Sequence, residues 1–310
     1  MFVMDVTSTI TEPNVKPGFH SEARHELKVH FGGAPVEALT YRVSFGDAGA
    51  EGRQPLQVHA LHGDDASDDG AVGDCVLQGR TGQAAGLGDL RLKAGRIADS
   101  FYIDLSLLAR VNSAVRNGTA VDLSGWNPAD AHNNFEGTTV ETIVLAVSHQ
   151  TPALRPGNRI GVWCVTKLAT DAGGWRQINR AGHPMMWPTF WPDDTVFSNP
   201  ANTRHPSDDL DAIGEYMAKQ IVAVVAAGGS SDDPHGYGHA VAKELLPDVL
   251  RYVVGTPANY GFAGLNGRTL ADHAPEVMLS LVSGTAIPSG LRPAVSRHLR
   301  NDNFPYVVPA

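Results

Sequence analysis

Residues 133–184 read NNFEGTTVETIVLAVSHQTPALRPGNRIGVWCVTKLATDAGGWRQINRAGHP. Thr139–Val147 is rich in β-branched residues, and no polar residue interrupts the run from Ile143 to Val147. A strand without polar alternation is one buried on both faces, or nearly so. Pro152, Pro156 and Gly157 turn the chain into a second strand, Ile160–Thr166, and Asp171-Ala172-Gly173-Gly174 turn it into a third, Trp175–Asn179. Three consecutive antiparallel strands are therefore expected at the centre of the chain.

Toward the N-terminus, residues 1–12 read as a first strand, with Pro13, Pro17 and Gly18 as its turn. Arg24–Phe31, Leu39–Phe45 and Leu56–Leu61 follow as a meander, and Tyr41, Val43 and Phe45 alternate inward. Leu105, Leu107, Leu108, Val111, Ala114 and Val115 then recur at helical spacing, with Asp104 placed to cap the start and Gly118 the end. Residues 181–207, with several prolines and Trp187 and Trp191, read as an irregular, lid-like stretch. In the last third, Ser207 is expected to cap a helix over Asp208–Ala227 that buries Ile213, Met217, Ile221 and Val224. Asp233-Pro234 opens a second helix, interrupted at Pro247, and Ala274-Pro275-Glu276 opens another that ends at Gly284. The fold class is mainly β with α (α+β): an antiparallel β-sandwich or barrel-like sheet with C-terminal helices packed on it. A β domain over 1–205, with one inserted helix at about 104–117, is followed by a helical part over 206–310 on the same core.

Composition narrows the function. A net charge of −9 with scattered Lys and Arg argues against nucleic acid, whose phosphates need a basic patch. No window approaches the roughly 20 apolar residues of a membrane span, and no secretory signal is visible, so a soluble cytoplasmic protein is expected. Two cysteines, Cys75 and Cys164, make no disulfide framework. Asp65, Ser67, Asp69 and Gly70 imitate half of a calcium loop, but Val76 stands where its Glu belongs, so residues 63–74 read as a solvated acidic loop. Gly86-Leu87-Gly88 lacks the third glycine of a dinucleotide fingerprint.

The chain resembles a large bacterial family known as domain-of-unknown-function family 4331. The residues that carry the resemblance are Gly95–Asp104, Asn134–Val140, Ile160–Trp163, Gln177–Pro184, Ala274–Val277 and Phe304-Pro305-Tyr306. The resemblance covers nearly the whole chain and implies no specific activity. Members of the family usually carry a further segment before the strand matching Phe2–Val6, which this chain lacks. The resemblance therefore implies that any site built by that segment is missing here or is completed by a partner chain.

Several constellations could carry chemistry. Arg96 beside Asp99 and Asp104 is a cation flanked by two carboxylates, which can hold one ionised while burial raises the other. The competing reading makes Arg96–Asp99 a structural ion pair and Asp104 a helix cap. His183, near Arg180 and followed by Met185, Trp187 and Trp191, would be a titratable group in an apolar pocket, or else a hydrogen-bonded histidine in a packed loop. Phe101, His132 and Asn134 are the further candidates for substrate contact. His235 and His239, at i and i+4, share a helix face as zinc ligands do, but Gly236 replaces the metalloprotease Glu and no third ligand has diagnostic spacing. His20, His25 and His30 do not converge, because a strand sends alternate residues to opposite faces.

These residues are expected to form a cofactor-independent enzyme acting on a small, largely apolar metabolite by acid–base chemistry, as an isomerase, cyclase, lyase or hydrolase. Catalysis is assigned to Asp99, Asp104, Arg96, His183 and Arg180 and substrate contact to Trp187, Met185, Trp191, Phe101, His132 and Asn134. No metal or other cofactor is expected, and a homodimer is compatible with the sequence. The alternatives are a small-molecule binding or carrier protein and, third, an assembly protein.

Overall fold

In a computed structural model of the chain, residues 1–10, 14–148, 151–191 and 198–310 are described. The strands are β1 (Phe2–Ser8), β2 (Ala23–Phe31), β3 (Leu39–Phe45), β4 (Pro55–His62), β5 (Asp74–Arg80), β6 (Ala84–Leu87), β7 (Leu90–Ala98), β8 (Thr139–Val147), β9 (Arg159–Ala169), β10 (Trp175–Ala181), β11 (Leu250–Val253), β12 (Asn259–Gly261) and β13 (Gly264–Asn266). The helices are α1 (Leu105–Asn117), α2 (Met186–Phe190), α3 (Ser198–Asn202), α4 (Glu215–Gly228), α5 (Pro234–Leu245) and α6 (Ala274–Ser283).

The strands form a four-stranded sheet in the order β1-β8-β7-β6 and a seven-stranded sheet in the order β10-β9-β2-β3-β4-β5, with β11 also on β9. All pairings are antiparallel. The two sheets face each other across one core, with Leu27, Val29, Tyr41, Val43 and Val58 from the larger sheet and Phe2, Met4, Leu92, Ile143 and Leu145 from the smaller. This is the sandwich form of the expected fold; neither sheet closes into a barrel.

The central stretch is not one meander. β8 pairs with β1 and β7, whereas β9 pairs with β2, β10 and β11, so the chain changes sheets between them. Only β9 and β10 form the expected hairpin. Burial of β8 on both faces does hold: Ile143 and Leu145 pack in the sandwich, while Val140 and Val144 pack with Ile97 and Val307 on the other side. The run from Leu90 to Ala98, unassigned from sequence, is β7.

The helices share a second core, where Leu107 and Val111 of α1 meet Met217 and Ile221 of α4 and Met278 and Val282 of α6. Asp104 caps α1, accepting from Ser106 N at 2.8 Å, and Gly118 ends it in the left-handed conformation. The start near Ser207 differs from expectation. His205, not Ser207, supplies the capping side chain, and a π-helical turn, Leu210–Gly214, precedes α4. Asp233 caps α5 and Gly284 ends α6, as expected. Pro247 does not split a helix: α5 stops at Leu245, and the chain enters β11 of the larger sheet. The expected end of the first strand and Pro13 lie outside the described residues, as does part of the lid-like stretch, 192–197.

The acidic loop is largely solvent-exposed, as expected, and it is also a strap. It crosses the outer face of the larger sheet, where Arg24, Glu26 and Lys28 of β2, Arg42 of β3 and Lys167 of β9 are all buried. Glu26 lies 2.6 Å from Arg42 Nε, 3.1 Å from Arg24 Nε and 3.4 Å from the amines of both Lys28 and Lys167. The strap's Asp69 pairs with Arg24 and Lys167, and its backbone carbonyl at Ala66 accepts from Lys28 and Thr40.

Candidate functional site

The two sheets are linked along one side by the short turn between β5 and β6. Along the other, β1 ends the smaller sheet, and β10 and β11 share the edge of the larger one. β10 pairs with the second half of β9, as far back as Cys164, and β11 with the first half, up to Val162. A cavity of about 1890 Å³ opens along this side. It passes around the edge of β1, so that residues from both faces of that strand line it. Small-molecule sites commonly enclose ~300–1,000 Å³, so this one has room for a ligand and water.

Asp99, Phe101, His183 and Met185, all expected site residues, line this one cavity. Asp99 follows β7 and is 5% exposed. Burial, together with repulsion from Asp5, raises its pKa to about 6, against a hydrogen bond from Phe101 N at 2.9 Å, attraction by Arg268 and a side-chain bond to Ser8. Asp5 comes from β1. It lines the cavity and is accessible to solvent, yet enough protein surrounds it to push its carboxyl pKa up. Arg268, also on the cavity wall, attracts Asp5 and has no hydrogen-bond partner at Nε. Its guanidinium lies 5.7 Å from the centre of the Phe101 ring, which is held edge-on by Phe135 at 4.9 Å.

A cation beside two carboxylates is therefore present, but with different members. Arg96 turns away to Glu141, at 2.8 Å. Asp104 is bound as a cap, accepting also from His132 N at 2.8 Å; burial raises its pKa, but these bonds together hold it below the usual range. Asn134 accepts from Leu105 N at 2.8 Å, so it too fixes the start of α1; His132 and Asn134 are exposed and do not line the cavity. Asp104→Ala is expected to cost about 1–2 kcal/mol in urea unfolding, the value of a lost cap, and to leave the cavity intact.

His183 sits where β10 ends beside the start of β11. Its backbone N–H donates to Asp248 Oδ1 at 2.6 Å. Gly182 is needed here, because a Cβ would stand 2.1 Å from the Asp248 carbonyl oxygen. Burial lowers the His183 pKa to about 3, so the ring is neutral; Nδ1 lies 3.4 Å from the Tyr260 hydroxyl, and Nε2 has no partner. Met185 takes a left-handed φ of 65°, which turns the chain from His183 into α2.

Arg180 lies behind this wall rather than on it. It is fully buried, donating to Asp209 Oδ1 at 2.5 Å and to the Ala201 carbonyl at 2.7 Å, with Asp248 Oδ2 at 3.6 Å. Trp187 lies under its guanidinium at 5.2 Å and Trp191 belongs to the helical core, so neither lines the cavity. The His235 and His239 rings lie 4.3 Å apart, tilted at 41°, and among the described residues no third ligand joins them.

Asp5 and Arg268 are the residues that sequence reasoning missed. An acid in the middle of FVMDVTS, a strand with buried Phe2 and Met4, is the one signal that was available; Arg268 sits in a loop with none. No family model, no curated protein and no solved structure matches the chain.

Proposed function

We propose that the cavity binds a small, largely apolar molecule and that Asp99, coupled to Asp5, moves a proton on it, as in an isomerase, cyclase, lyase or hydrolase. The observation that carries this reading is a buried carboxyl, Asp99, on the wall of a cavity that Asp5 and Arg268 also line, with burial pushing its pKa up to about 6. A carboxyl whose pKa is pushed up toward neutrality can both give and take a proton, and the Asp5 carboxylate adds to that push. Arg268 is placed to orient a polar end of the ligand, and the neutral His183 offers one hydrogen bond. We also propose that the chain belongs with domain-of-unknown-function family 4331. Two stretches of that resemblance, Gly95–Asp104 and Gln177–Pro184, contribute Asp99 and His183 to the cavity.

Native mass spectrometry of the purified protein identifies a retained molecule, which is then offered to wild type, Asp99→Asn and Asp5→Asn. The expected result is that Asp99→Asn still binds it but turns it over roughly 10²–10⁴-fold more slowly. Turnover by Asp99→Asn at the wild-type rate would overturn the catalytic reading. Recovery of the molecule unchanged from wild type would replace it with the carrier reading, which the size of the cavity also suits.

A further inference from the structure

We propose that His30, Glu37 and His205 bind a divalent cation of the zinc class at the edge of the charged outer face of the larger sheet, on the side away from the sandwich core. Among the described residues this is the only group of three His, Cys, Asp or Glu side chains with ligand atoms close enough together, all within 4.8 Å. Glu37 Oε2 stands 2.8 Å from His205 Nε2 and 3.8 Å from His30 Nε2. Ligands held ~2.0–2.1 Å from a tetrahedral zinc are about 3.3 Å apart, midway between those distances. One residue is on β2, one between β2 and β3, and one in the segment before the π-helical turn. A cation here would fasten the start of the helical half to the sheet.

The far side of the His30 ring is held as a metal ligand's is, and that of His205 faces a hydroxyl able to accept a proton. His30 Nδ1 lies 2.8 Å from the Ala34 carbonyl, which fixes Nδ1 as the protonated nitrogen and leaves Nε2 with a lone pair. His205 Nδ1 lies 2.8 Å from Ser207 Oγ, which in turn lies 3.2 Å from Asp208 Oδ1. Without a cation, His205 Nε2–H donates to Glu37, and Nδ1 accepts from Ser207 N at 3.1 Å. On binding, the ring's proton moves to Nδ1 and is donated to Ser207 Oγ, so no proton is lost, and the bond from Ser207 N to Nδ1 is given up. Glu37 is already a carboxylate, held low by His205 and Lys28 against the effect of burial.

Two neighbours compete with the cation. Trp163 Nε1–H donates to His30 Nε2 at 2.9 Å and must be displaced, while Lys28 Nζ, 2.5 Å from Glu37 Oε1, must share that carboxylate. Glu26, 3.4 Å from Lys28, offsets its charge. His205 is 29% exposed, which gives an ion a path in and leaves the fourth position to water.

The test is titration with zinc chloride, followed by calorimetry and tryptophan fluorescence, with cobalt(II) absorption reporting ligand geometry. Wild type is expected to take up one zinc per chain, to show the visible bands of four-coordinate cobalt and to change its fluorescence as Trp163 loses His30. His205→Ala, whose fold is checked by circular dichroism without metal, is expected to bind at least roughly 100-fold more weakly, the upper end of the cost of losing a ligand's outer hydrogen-bond partner. The double variant His235→Ala/His239→Ala is expected to bind as wild type does. No stoichiometric uptake by wild type, uptake unchanged in His205→Ala, or uptake abolished in the double variant would each overturn the assignment.

Discussion

Replacing Glu26 with glutamine is expected to lower the unfolding free energy by about 3–5 kcal/mol at pH 7, read from urea denaturation. Glu26 is fully buried and is the common partner of Arg24, Lys28, Arg42 and Lys167. Glutamine keeps the shape but removes the charge, leaving four cations facing one another, with Glu37 and Asp69 as their remaining carboxylate partners among the described residues. Moving the pair out of water costs more than its attraction returns, so the cluster is weak evidence of net stability, but loss of one member exposes the full penalty on the rest. Acid reports the same group. Burial opposes ionisation of Glu26, yet the four cations hold its pKa down to about 2. Its contribution is therefore present above about pH 4.5 and lost as the pH falls toward 2. In Glu26→Gln that part of the acid sensitivity is absent. An unfolding free energy within about 0.5 kcal/mol of wild type, the range of an ordinary surface substitution, would contradict the account.

The second large effect is expected from Arg180→Met. Arg180, Asp209 and Asp248 have no solvent-exposed side-chain surface, and both carboxylates depend on the one guanidinium. Methionine fills much of the same space, so the cost, again about 3–5 kcal/mol at pH 7, comes from the carboxylates left unpaired. This cost depends on pH. Burial already raises Asp248 to about 6 although Arg180 lowers it, so removing Arg180 raises it further. A raised carboxyl pKa destabilises the fold above that pKa, and the penalty fades as the pH falls toward the unfolded value near 3.8. The difference between Arg180→Met and wild type in thermal unfolding is therefore expected to shrink from pH 7 to pH 5. A difference that stays constant over that interval would show that packing, not charge, is what Arg180 supplies.

Arg180 also shows what could be read from the sequence. Local signals worked: the β-branched run of β8, the alternation in β3, the caps at Asp104 and Asp233, and the glycines ending α1 and α6 all depend on near neighbours. Partners distant in sequence did not show. Nothing in the spacing says that β8 and β9 lie in different sheets, or that Arg96 turns to Glu141, 45 residues on, instead of Asp99. Asp99 and His183 were legible because each sits among apolar residues next to a strand end. The charged groups that line the cavity with Asp99 are not Arg96 and Asp104 but Asp5 and Arg268, far apart in the chain. The strap's contacts with the sheet were hidden for a related reason. Its many aspartates imply solvent, and most are exposed, but Asp69 and the loop's carbonyls also satisfy buried cations contributed by three strands.

The central claim is that Asp99 and Asp5 form a coupled pair under Arg268 on the wall of the cavity. A carboxyl-carbon NMR titration of the protein, with Asp5→Asn and Arg268→Met beside it, tests this most directly. Asp99 is expected to titrate at about 6 in the wild type, to fall when the Asp5 charge is removed and to rise when Arg268 is removed. An Asp99 that titrates at the ordinary value of 3.8, or that responds to neither substitution, would contradict the account.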